Sequence, residues 1–231
     1  NDTARWKSRR VKVETSDLYI RAARDMSDQA EPLVRRARED ILRHIERQNE
    51  FLTSFTPVKR LDDCPPIISM MYDASERAGV GPMAAVAGAV AEAVGRELMG
   101  LSEEIIIENG GDIWMRLAEP AAVSIYPGGY SFDAVALRVY PEQTPCGVCT
   151  SSARIGLSFS FGKADAATVI AGDAALADAV ATGVCNRVEV EETMEDAADY
   201  AMRCGADGVV IIYRDRLAAR GDVELTDPKG E

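Results

Sequence analysis

Residues Cys146 to Asn186 read CGVCTSSARIGLSFSFGKADAATVIAGDAALADAVATGVCN. The stretch holds a Cys-x-x-Cys, a Thr-Ser-Ser turn, a polar loop, an apolar strand near 166–171 and a helix of small residues. Asp173 is placed to cap that helix, AALADAVATGVCN. Asp178 and Thr182 sit on it four residues apart, hence on one face.

The same order of elements stands earlier in the chain. Residues 9–14 and 17–23 flank a Thr15-Ser16 turn and predict a hairpin. A helix follows from about Asp28 to Phe51, with Asp28 and Glu31 as a capping box and Pro32 in the first turn. Val34, Ala37, Ile41 and Ile45 form its apolar stripe. Three prolines between 53 and 66 predict a loop, and 67–78 a short helix. Gly81-Pro82 opens another, MAAVAGAVAEAVGREL, whose small side chains allow close approach and so a central position. Asn109-Gly110-Gly111-Asp112 turns a hairpin between 104–108 and 113–117.

Further strands are expected at 121–126, 133–139 and 155–161. Thr193-x-x-Asp196 opens an amphipathic helix ending at Gly205, and 207–220 forms a last hairpin. Each half thus carries one small-residue helix and closes on a hairpin. The pattern predicts an α+β fold, a tandem pair of ββααββ units (T-fold-like) with helices packed on a mixed or antiparallel sheet. A single domain over 1–231 is expected, with halves at about 9–120 and 121–220 and a frayed tail from 221 to 231.

A carboxylate and a hydroxyl one turn apart, as at Asp178 and Thr182, offer two hard oxygens to Mg²⁺ or Ca²⁺. The alternative is a solvated Asp178 and a Thr182 packed in the core. Asn109 to Asp112 is either a plain turn or a backbone that approaches a phosphate through its glycines. The helix start at Gly81-Pro82 is a candidate anion site, better than the one carrying Asp173. Thr150, Ser151 and Ser152, followed by Ser158, Ser160, Gly162 and Lys163, suit a nucleotide phosphate, or else form the polar face of a hairpin. Cys146 and Cys149 are a dithiol pair, half a zinc site or two buried small residues. The lone histidine, His44, borders the stripe of the first long helix and is read as structural.

With 231 residues, 47% apolar and 28% charged, the chain can bury a core. Its net charge of −12 repels phosphate backbones and argues against nucleic acid as a partner. No apolar run approaches the roughly 20 residues a membrane helix needs, and the N-terminal residues show no h-region. Five cysteines, an odd number, suit reduced thiols in a cytoplasmic setting.

Taken in order, GPMAAVAGAVAEAVG, IIIENGGDI, Cys146 to Ala166 and AALADAVAT resemble the ApbE-like superfamily, which includes the flavin transferases. The likeness is to a branch with a CTSS segment, and runs from about residue 10 to 215. It implies a tandem ββααββ fold, a flavin nucleotide (FAD or FMN) as ligand, and Mg²⁺. The Ala-Asp-Ala-x-Ala-Thr motif of those enzymes matches 177–182, which implies metal-holding roles for Asp178 and Thr182. Their Gly-Gly-Ile-Ala segment, which gives the metal a backbone oxygen, is similar to 81–84 and implies Ala84. Their Asn-x-Gly-Gly-Asp turn resembles Asn109, Gly110, Gly111 and Asp112. With Thr150, Ser151 and Ser152 these are the expected nucleotide contacts.

The chain departs from the pattern in two places. The transferases' histidine has no counterpart after His44, where Leu157, Ser158 and Ser160 stand, and Pro82 and Ala85 replace a glycine and a lysine. The expectation is therefore a nucleotide pocket with Mg²⁺ between the halves and without ordinary FMN transfer. The alternative is a non-catalytic module that kept the fold and lost the pocket.

Overall fold

The computed structural model describes residues 5–127, 135–153 and 162–227. Eight antiparallel strands form one sheet in the order β1-β2-β3-β4-β7-β8-β9-β10. β1 (Lys7–Val13), β2 (Ser16–Ala22), β3 (Ile105–Asn109) and β4 (Asp112–Arg116) make one side. β7 (Cys146–Ser151), β8 (Ala166–Ala171), β9 (Gly208–Tyr213) and β10 (Arg216–Gly221) make the other. The two sides meet where β4 pairs with β7, with Asp112 opposite Cys149. The fold class expected from the sequence, α+β with antiparallel sheet and packed helices, is the one observed.

One face of this sheet carries the helices. They are α1 (Ser27–Arg47), α2 (Glu50–Thr53), α3 (Pro66–Ala78), α4 (Val86–Leu98), α5 (Ala174–Arg187) and α6 (Met194–Arg203). A 3-10 turn, Pro82–Ala85, leads into α4. The other face carries a three-stranded sheet ordered β11-β6-β5, from β5 (Ala121–Ile125), β6 (Val135–Val139) and β11 (Glu224–Thr226). Side chains of β3, β4 and β7 alternate between two cores. Ile107, Trp114 and Cys149 point to the helices. Ile106, Met115 and Val148 point to the small sheet, as a period of two requires.

Every residue of α5 from Ala174 to Cys185 is buried, as a helix without a polar face must be. It packs on β7 and β8 and against α3, α4 and α6. Close approach needs small residues. A Cβ at Gly147 would stand 2.3 Å from the Cα of Ala174, and one at Gly88 would stand 2.1 Å from the Ala174 carbonyl oxygen.

Several sequence expectations shift. Cys146–Ser151 is a central strand and no turn. Its Cys, Val and Thr suit a strand, and both its faces are covered, so no alternation of polarity betrays it. The first turn is Glu14-Thr15, with Glu14 at φ 54°, and Ser16 already belongs to β2. α1 starts at Ser27, and Asp25 accepts the Ser27 N–H at 3.0 Å, so the Asp28–Glu31 box does not form. His44 takes the place in the buried stripe expected of Ile45. Residues 224–226 of the expected frayed tail pair with β6. The strand expected near 155–161 lies outside the described residues.

Gly88→Ala should lower stability by about 2 kcal/mol, since overpacking a tight helix contact costs roughly 1–3 kcal/mol. Calorimetry should show a fall in Tm of roughly 5 °C. Gly100→Ala, with nothing within 4 Å of the added methyl, is the control. Equal Tm values for the two variants would contradict the close α4–α5 contact.

Candidate functional site

The first N–H groups of a helix lack partners within it. For α4 the acceptor comes from α5. Asp178 Oδ2 accepts the Gly88 N–H at 2.9 Å, and the Ala87 N–H also favours the charged carboxylate. For α5 the acceptor comes from α4. Glu92 Oε2 accepts the N–H groups of Ala174 at 2.7 Å and Ala175 at 3.3 Å. Asp173 adds its own cap to Leu176 N at 2.8 Å. Each helix therefore caps the other with a buried carboxylate. Arg96 holds the outer oxygen of Glu92. Burial raises the Glu92 pKa, against the pull of Arg96.

These caps correct one expectation. The helix start after Gly81-Pro82 is not a free anion site, because the Asp178 carboxylate already fills it. An apolar helix gives no hint that a partner helix supplies its cap. Glu92 was not singled out from the sequence. The signal was available: one acid inside AVAEAVG must be buried, and a buried acid needs partners.

The β3–β4 hairpin tip sits beside this helix pair. Asn109 Nδ2 donates to the Ala87 carbonyl at 3.1 Å. Asp112 pairs with Asn109 across the hairpin and with Cys149 across the β4–β7 seam. Asp112 and Asp178 are each only 9% exposed, and Thr182, one turn beyond Asp178, is 8% exposed. Burial pushes Asp178 up to about 7. Burial, with the Asp178 charge added, raises Asp112 well above the carboxylate range. Cys149 is raised as well, by burial and both carboxyls.

No Lys, Arg or His side chain among the described residues pairs with Asp112 or Asp178. Asp112 Oδ1 and Ser151 Oγ are buried without any hydrogen-bond partner. The place thus holds two acid groups that disfavour each other's charge, and two orphaned oxygens. No group of three or more His, Cys, Asp or Glu side chains suited to a metal occurs among the described residues.

The residues singled out from the sequence divide between the two faces of the sheet. Asn109, Asp112 and Ser151 belong to the helix face, with Asp178 and Thr182 above them. Ala84 lies in the 3-10 turn that packs against α5. Gly110, Gly111, Thr150 and Ser152 line a cleft of about 410 Å³ on the opposite face. The Gly-Gly turn, with φ of 68° and 104°, is the edge where the two meet. Ser158 and Ser160 lie outside the described residues. Cys146 faces the inter-sheet core and Cys149 the helices, so residues three apart on a strand cannot form a dithiol pair. His44 is buried among Phe51 and Tyr72, its Nε2 2.8 Å from the Tyr72 hydroxyl. None of the five cysteines forms a disulfide, and no single described helix is long and apolar enough to cross a membrane.

A family model described as AbpE bacteria matches residues 2–219. A UPF0280 protein of Methanocaldococcus jannaschii is 36% identical over 226 residues, covering 94% of this chain and 92% of the relative. A UPF0280 protein of Methanopyrus kandleri is 35% identical over 225 residues, covering 93% and 88%. Among solved structures, the flavin transferase ApbE from Vibrio cholerae superposes with a TM-score of 0.56 at 13% identity, over 93% of this chain and 97% of that one. The apo flavinyl transferase ApbE of Pseudomonas stutzeri gives 0.56 at 12% identity, over 93% and 94%. At such identities the structures show a shared fold.

The raised Asp178 makes a pH prediction for protein free of divalent cations. Between pH 3.8 and about 7 the unfolded chain has lost this proton and the folded one keeps it. Stability from Asp178 therefore falls as pH rises through that window and levels off above it, by at most about 4 kcal/mol at roughly 1.4 kcal/mol per pKa unit. The Tm of the wild type minus that of Asp178→Asn should shrink from pH 4 to 7 and then stay flat. A difference that does not change with pH would contradict a buried acid here.

Proposed function

We propose, starting from the fact that this chain belongs to the family described as AbpE bacteria, that it binds a flavin or related nucleotide together with Mg²⁺ at the Asp112–Asp178 carboxyl pair. One observation carries the reading: two buried acid groups lie together with no basic partner, the Asp112 charge is supported only by the Cys149 thiol and the Thr150 N–H, and Asp112 Oδ1 accepts no hydrogen bond. A hard cation seeks such an oxygen set. The residues fit it. Asp178, Thr182 and Asp112 would supply side-chain oxygens and Ala84 a backbone oxygen. Bound there, Mg²⁺ would neutralise a pyrophosphate's charge.

The chain's own residues do the positioning. Asn109 ties the hairpin to α4, and Gly110 and Gly111 carry no side chain to keep a phosphate off the backbone. Ser151 offers its unpartnered hydroxyl on the face of the carboxyl pair, while Thr150, whose hydroxyl meets that of Thr168 at 2.8 Å, and Ser152 stand on the cleft side of the same edge. The single histidine of the chain is committed to Tyr72 and Phe51. The reading is therefore nucleotide binding by a transferase-like fold, with no histidine to serve FMN transfer.

A second reading is favoured by the caps themselves. Asp178 already has a structural task at the start of α4, and the protein would then be a binding or scaffold module without a ligand. Calorimetric titration decides between the two. FAD, FMN or ADP with Mg²⁺ should bind the wild type. Asp178→Asn and Thr182→Val should each weaken the Mg²⁺-dependent binding at least about tenfold, or about 1.4 kcal/mol. Absence of binding by all three ligands would remove the nucleotide reading and leave the scaffold.

A further inference from the structure

The inter-sheet cleft lies on the face of the sheet opposite the carboxyl pair. Its floor is Ile106, Ile113 and Met115 of β3 and β4, and its far wall is β5 with Val123. Tyr19 and Tyr126 stand at its rim, 39% and 69% exposed. At about 410 Å³ it falls within the size range of small-molecule sites, and exposed aromatic rims supply stacking surface.

Two charged side chains break the apolar wall. Arg21 of β2 and Glu108 of β3 both line the cleft, half-buried. In the β2–β3 register Tyr19 faces Glu108 and Arg21 faces Ile106, so the two charges are diagonal neighbours. Such neighbours reach one another when their side chains are long. Here they form no ion pair, with each other or with any described residue. Arg21 only lies over the Tyr19 ring, 5.5 Å from its centroid. A guanidinium donor fork and a carboxylate acceptor therefore stand open to the same small space.

That combination selects its ligand. A phosphate would satisfy Arg21 and be repelled by Glu108, and an ammonium group the reverse. A neutral lactam edge, with a carbonyl beside a ring N–H, satisfies both at once. We propose that the cleft between the two sheets binds a flat heterocycle through its lactam edge, with Arg21 donating to the carbonyl, Glu108 accepting the ring N–H, and Tyr19 and Tyr126 covering the ring. The proposal deepens the nucleotide reading by naming the kind of ring. It stands on different residues, so the two readings fail separately.

The test uses nucleosides without phosphate and buffer without Mg²⁺. Riboflavin and uridine carry a lactam edge, whereas adenosine does not. Titration of the full chain should give binding of riboflavin and uridine at least about tenfold tighter than of adenosine. Glu108→Ala and Arg21→Met should each weaken riboflavin binding about tenfold or more, with circular dichroism showing that both variants fold. Failure of riboflavin to bind would overturn the proposal, and so would equal binding of adenosine. Binding untouched by both cleft variants would overturn it. If ADP with Mg²⁺ binds while riboflavin does not, the cleft assignment falls and the carboxyl-pair reading stands.

Discussion

Two buried carboxylates exchanged between α4 and α5 hold the helix layer in register. Asp178 of α5 accepts from the first turn of α4, and Glu92 of α4 accepts from the first turn of α5. Burying a carboxylate costs several kcal/mol unless it is hydrogen-bonded or paired. Here each acid meets exposed N–H groups and the positive end of a helix dipole. The exchange works only at short range, and the small side chains of both helices allow it. Gly88 is a tight point of this contact, where an added Cβ would meet both Ala174 and Asp178.

The same exchange creates the candidate site. To cap α4, Asp178 must point at the hairpin tip, where Asp112 ends up beside it. Glu92 has Arg96 to offset its charge. Asp178 and Asp112 have no such partner among the described residues, so the fold carries an electrostatic deficit at this one place. A proton relieves it at low pH, and a cation is the other remedy. The α4 cap and the proposed cation site thus share one side chain.

Much of this was legible in the chain. Asn109 to Asp112 gave the hairpin, because two successive positive φ angles require glycines. Asp173 gave the cap of α5, and the spacing of Asp178 and Thr182 gave the shared face. What escaped was set by tertiary contacts. Cys146–Ser151 looked like a motif and a turn, because a strand covered on both faces shows no alternation. Of the three readings of Cys146 and Cys149, strand geometry leaves two buried small residues, sent to opposite cores. The start of α4 looked free because its cap is more than 80 residues away in sequence. The division of Thr150 and Ser151 between two faces of the sheet follows only once β7 is known to be a strand.

Diffraction from crystals grown at about pH 8 and soaked in Mn²⁺, recorded at the manganese edge, would address the carboxyl pair directly. The account predicts one anomalous peak touching the side-chain oxygens of both Asp112 and Asp178, at roughly the 2.0–2.2 Å expected of a small hard cation. An empty carboxyl pair under saturating Mn²⁺, with the two acids hydrogen-bonded to each other through a shared proton, would contradict it.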